Sequence, residues 1–100
     1  MQIQNETLYT LIKIDNKGFG ENIANEVSKN IIIYFTQEYE LNATDTAYLL
    51  SLLKLVSDKN GILVCTGKIQ INEFINVPTL HEAIEYIMMH ELENDLLGDL

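Results

Sequence analysis

Few side chains in this sequence combine the type and spacing that chemistry needs. His81 and His90 are the two histidines, and a separation of nine residues on one helix puts them more than two turns apart, too far to share a metal ion. His81 falls in a helix first turn and His90 in a polar stretch, so both read as solvated helix residues rather than general bases. Cys65 is the sole cysteine and sits in the apolar run 62–66, which excludes an intrachain disulfide and a thiolate metal cluster. Ser51 and Ser57 lie within a leucine-rich helical pattern, outside any Gly-x-Ser-x-Gly elbow and without a histidine partner. Gly18-Phe19-Gly20 lacks the remaining glycines of a phosphate-cradling loop and reads as an ordinary turn. The acids Glu82, Glu85, Glu91, Glu93 and Asp95 fall mainly opposite the apolar positions of their helix, as a solvated face does. No catalytic residue, metal or cofactor is assigned, and a non-enzymatic role is expected.

The elements that position these residues follow from periodicity. Residues 7–14 alternate Leu8, Thr10, Ile12 and Ile14 with Tyr9, Leu11 and Lys13, a strand pattern with one face more buried than the other. Residues 15–20 carry turn chemistry, residues 23–29 predict a short helix, and Ile31-Ile32-Ile33-Tyr34-Phe35 predicts a central strand buried on both faces. Asn42 is placed to cap a helix with Asp45 in its first turn. That helix runs through Ala47, Leu49, Leu50, Leu52, Leu53, Leu55 and Val56 to a left-handed stop at residues 59–61. Residues 62–66 predict another buried strand and 74–77 a weaker one. Pro78, then Thr79 and Glu82 as a capping box, open a long helix with Leu80, Ala83, Ile84, Ile87, Met88, Leu92 and Leu96 on its apolar face, leaving Met89 as a candidate contact. The order implies a single α/β domain over residues 1–100, with helices packed on a largely parallel sheet.

Composition narrows the function class. Fifteen acids against six lysines and arginines give a formal charge of −9, which repels nucleic acid and anionic lipid surfaces. A hydrophobic share of 47% fits a compact globule. The first residues carry neither a basic n-region nor an apolar h-region, and no apolar run nears the ~20 residues of a membrane span. A reduced cytoplasmic setting is expected.

Three segments carry a family resemblance. Residues 30–36, Leu41-Asn42-Ala43-Thr44-Asp45 with the leucine helix, and Gly61-Ile62-Leu63-Val64-Cys65-Thr66-Gly67 resemble the STAS domain, the fold of anti-sigma-factor antagonists, in order and spacing. The ending Val77-Pro78-Thr79-Leu80-His81-Glu82-Ala83 is similar to the Pro-Thr-x-x-Glu-Ala helix that closes many of them. The likeness covers about the last seventy residues and, more weakly, the first strand. It implies a mixed, largely parallel sheet of four to five strands and a protein-binding regulatory module acting in transcription control. Its partner would be an anti-sigma-factor-like kinase or another regulatory protein, bound through Tyr39, Leu41, Asn42, Ala43, Thr44 and Asp45.

Two departures from the family pattern matter. Antagonists carry Asp-Ser-Ser/Thr-Gly before the helix, the first serine being phosphorylated; here Asn42-Ala43-Thr44-Asp45 stands there, and Ala43 has no hydroxyl. Thr44 is the remaining phosphorylation candidate, favoured by the helix N-terminus and opposed by Asp45. The chain is also shorter between the first strand and Ile31, and between Gly67 and Pro78, each by most of a helix. A thinly covered sheet face follows, and with it a homodimer or an obligate partner. The alternatives are a structural or oligomerisation module with a degenerate STAS fold, or a small-molecule-binding STAS domain.

Overall fold

The computed structural model describes residues 1–19 and 27–98. In chain order the elements are β1 (Gln2–Asn5), β2 (Thr10–Ile14), β3 (Ile31–Phe35), α1 (Ala43–Asp58), β4 (Leu63–Gly67), β5 (Ile75–Val77) and α2 (Leu80–Gly98). The sheet order is β1-β2-β3-β4-β5, with β1 antiparallel to β2 and every other pair parallel. This is the expected mixed, largely parallel sheet with helices packed on it.

The described parts of the connections β2–β3, β3–β4 and β4–β5 contribute side chains to one face. Phe19 and Val27, then Leu49, Leu52 and Val56 of α1, then Ile69, Ile71 and Phe74 pack there on Ile12, Ile14, Ile31, Ile33, Phe35, Leu63 and Cys65. Parallel strands joined in sequence order, each pairing with the next, march one way across the sheet, and crossovers of one hand would put their connections on one face. The chain after β5 is not a crossover, so α2 can take the other face, where Ala83 and Ile87 bury against Leu11, Ile32 and Val64. β3, flanked on both sides and both faces, contains the fully buried Ile31, Ile32, Ile33 and Phe35. Burial pushes the Cys65 thiol up to about 12, so it stays protonated and acts as core filling rather than as a nucleophile.

Several expectations need correction. β1 was not legible, because its sequence Gln-Ile-Gln-Asn forms an exposed edge strand with a single apolar residue. Residues 7–9 are a hairpin connection rather than the start of β2, with the Glu6 N–H donating to the Tyr9 carbonyl at 2.9 Å. Of the helix expected over 23–29, residues 23–26 lie outside the described residues, while Val27 is buried without regular structure. Among the described residues, loop side chains pack on the crossover face, while on the opposite face α2 packs against β3, β4 and β5 and Leu11 of β2 is 5% exposed. On α1, Ala47 and Leu50 are exposed rather than packed on the sheet.

Helix ends explain where α1 starts and stops. Asn42 Oδ1 accepts from the Asp45 N–H at 2.8 Å and Asp45 Oδ2 accepts from the Asn42 N–H at 3.1 Å, a complete capping box. At the other end Asn60 takes φ +61°, with Gly61 N–H to Val56 O at 2.7 Å and Asn60 N–H to Ser57 O at 3.1 Å, the paired bonds of a Schellman stop. For α2, Thr79 Oγ1 accepts from the Glu82 N–H at 3.2 Å, but Glu82 does not reach back, so only half of the expected box forms.

The N-terminal edge of the sheet is tied by Asn30, which is 1% exposed. Its amide donates to Leu8 O at 3.0 Å and to Glu91 Oε1 at 2.8 Å, and its Oδ1 accepts from the Ile62 N–H at 2.9 Å. One side chain thereby joins the approaches to β2 and β4 with α2. Lys29 adds an ion pair to Glu91 at 3.0 Å, while His90 and Asn94 reach the Asn60 carbonyl. Glu91 is thus no part of a solvated face, contrary to the sequence expectation. Met88 and Leu92, expected on the apolar face, are 54% and 59% exposed. The line of Ala83, Ile87 and Glu91 faces the sheet, and Met88 and Leu92 stand about 100° or more round the helix from Ile87, so they point away from it. The Leu96 side chain lies outside the described residues.

Burial alone would raise the Glu91 carboxyl, but hydrogen bonds from Asn30 and Lys29 and the charges of Lys29 and His90 together hold it below the ordinary glutamate range. A carboxylate held low adds stability above its unfolded-state pKa and loses it as pH falls through the lower native value. Glu91→Gln is therefore expected to lower stability at neutral pH and to flatten its decline on the acid side. Urea unfolding midpoints from neutral to acid pH read both effects; parallel pH curves for the two proteins would contradict them.

Candidate functional site

The segment between β3 and α1 leaves the sheet at the carboxyl ends of the parallel strands, where α/β sheets present their loops. A partly buried aromatic cluster, anchored on the buried Phe35, supports it. The Phe19 ring stands 6.3 Å from Phe35, 6.5 Å from Tyr39 and 5.3 Å from Tyr48 between centroids. Leu41 packs on the same core. The Tyr39 hydroxyl donates to Asp45 Oδ2 at 2.8 Å, and this bond to a carboxylate raises the Tyr39 pKa, with burial and the Asp45 charge adding to it. That hydroxyl also fills the space beside Gly18, so the Gly18-Phe19 turn is packed rather than open to a phosphate.

Asp45 is therefore the keystone of the segment. It is 7% exposed, accepts from both Tyr39 and the Asn42 backbone, and is turned away from solvent. Thr46 adds a hydroxyl bond to Asn42 O at 3.1 Å. With the backbone so fixed, Asn42, Ala43 and Thr44 stand exposed on the first turn of α1. Among the six residues expected to meet a partner, these three face outward, Tyr39 and Leu41 are half-buried supports, and Asp45 is a buried clamp that positions the others. Sequence reasoning missed the exposed Glu38 and Glu40. With Tyr39, Lys68 and Ile69 they border a shallow hollow between this segment and the β4–β5 loop; their alternation around Tyr39 was the available signal.

Among the described residues no group of three or more His, Cys, Asp or Glu could hold a metal ion, and none of the described helices is long and apolar enough to cross a membrane. Gly67, at the base of the site, has φ +106°, and the Phe35 carbonyl beside it accepts from the Lys68 N–H at 2.9 Å.

No protein-family model matches the chain, and a search of curated proteins returns no match. The family resemblance accordingly rests on the residues quoted for it.

Proposed function

We propose that this chain is a protein-binding regulatory module of the anti-sigma-factor-antagonist kind, engaging a kinase-like or other regulatory partner through Asn42, Ala43 and Thr44. The observation that carries this reading is the rigid presentation of three exposed residues on a helix end, held by the Asn42–Asp45 box and the Tyr39 hydroxyl. A surface ordered before association loses less conformational freedom on binding than a floppy loop. The sheet order and the helix leaving the carboxyl end of β3 agree with the architecture that the resemblance implies.

Ala43→Arg and Thr44→Arg test it, since both positions are exposed and neither side chain belongs to the cap. With the partner kinase isolated from the native cell extract, each is expected to weaken binding about tenfold or more with unchanged melting. Undiminished affinity in both variants would move the interface elsewhere. Thr44 is the hydroxyl next to the position where the family carries its phosphoacceptor. Incubation with that kinase and ATP should place one phosphate on Thr44, read by mass spectrometry and abolished in Thr44→Ala. An unmodified Thr44 beside a kinase active on another substrate would remove this part of the reading.

A further inference from the structure

We infer that the outward face of α2 is a docking surface for a basic amphipathic helix of a partner protein. Tyr86, Met88, Met89 and Leu92 are 45%, 54%, 61% and 59% exposed. Tyr86, Met89 and Leu92 follow one another at three-residue steps, and Met88 lies four before Leu92, so the four side chains adjoin on the helix surface. Single exposed apolar residues are ordinary, but a contiguous set on one helix marks an interaction face.

Charge decides what can cover it. Glu82, Glu85, Glu93 and Asp95 are exposed along the same helix, and Leu80–Gly98 contains no lysine or arginine. The nearest compensation is the surface pair of His81 with Glu85 at 2.7 Å, which is weak in water. Glu91 is turned inward onto Lys29 and Asn30 and takes no part. A second copy would bring the same acidic face and a charge of −9 against its own kind, and polyanions or anionic lipid would be repelled likewise. The complement is an apolar stripe flanked by lysine or arginine. A helix supplies that stripe at the three- and four-residue steps found here, and two adjacent methionines adapt to its side chains. This face lies on the opposite side of the sheet from α1, so it is independent of the Asn42–Thr44 site.

The test uses the full chain and a fluorescein-labelled designed peptide with leucines at i, i+3, i+4 and i+7 and lysines elsewhere. Controls are the same composition with scrambled spacing and the same spacing with glutamates for lysines. Anisotropy should show binding of the first peptide alone, weakening as salt rises, with amide shifts mapping to Tyr86–Leu92. Met88→Gln with Leu92→Gln, and separately Glu85→Lys with Glu93→Lys, should each weaken it about tenfold or more with unchanged melting, because all four positions are exposed. Equal binding of the scrambled peptide, shifts mapping elsewhere, or indifference to both double variants would overturn the proposal. So would a dimer in light scattering that Met88→Gln with Leu92→Gln disperses, which would assign the face to a second copy.

Discussion

Asn30→Ala is expected to destabilise the domain by about 3 kcal/mol or more, because a buried donor or acceptor left unpaired costs about 1–3 kcal/mol. The substitution strips the Ile62 N–H, the Leu8 carbonyl and Glu91 of their shared partner. None of the three is replaced by water without opening the edge, since Asn30 is buried. In a domain of this size the melting temperature should fall by about 12 °C or more, read by thermal or urea denaturation. Asn30→Asp is a sharper form of the test. Its carboxylate can still accept from the Ile62 N–H but faces the Leu8 carbonyl and Glu91, so it should be stabilised by acid relative to the parent. Unchanged melting in Asn30→Ala would show that the three contacts contribute nothing.

Gly67→Ala is the second large effect, and it acts at the opposite edge. A Cβ at this position would come within 2.2 Å of the Phe35 carbonyl oxygen, at a φ of +106° that side chains rarely adopt. Strain and overpacking together should cost about 2–6 kcal/mol. The displaced carbonyl belongs to the last residue of β3, from which the segment supporting Asn42–Thr44 departs. Partner binding should therefore fall even at temperatures where the variant remains folded. Gln70→Ala, an exposed loop change nearby, supplies the control and should alter neither stability nor binding. Wild-type stability in Gly67→Ala would mean that the carbonyl yields without penalty.

These two residues show where sequence reasoning works and where it stops. β3 was legible because an unbroken run of isoleucines has few structural outlets, and α1 because Asn42 and Asp45 mark its start by local chemistry alone. β1 was not, since Gln2, Gln4 and Asn5 pair through their backbones and leave no apolar alternation to read. The role of Asn30 depends on partners 22, 32 and 61 residues away, a distance no local pattern spans. Glu91 was nearer to legible: it stands four residues after the buried Ile87, itself four after Ala83, so a carboxylate falls on the buried line of α2. At the candidate site, the exposure of Asn42–Thr44 followed from the cap, whereas the inward turn of Asp45 required knowing that Tyr39 folds back over it.

The strand order carries a consequence for biosynthesis. Every strand pairs with its neighbour in sequence, so each new segment leaving the ribosome finds its docking edge already made, and long-range searching is kept small. β1 and β2 can wait as a hairpin, β3 and β4 extend it, and α1 seals one side before synthesis ends. The other side stays bare until Leu80–Gly98 emerges, which makes Leu11, Ile32 and Val64 the surface that a nascent chain must shield longest.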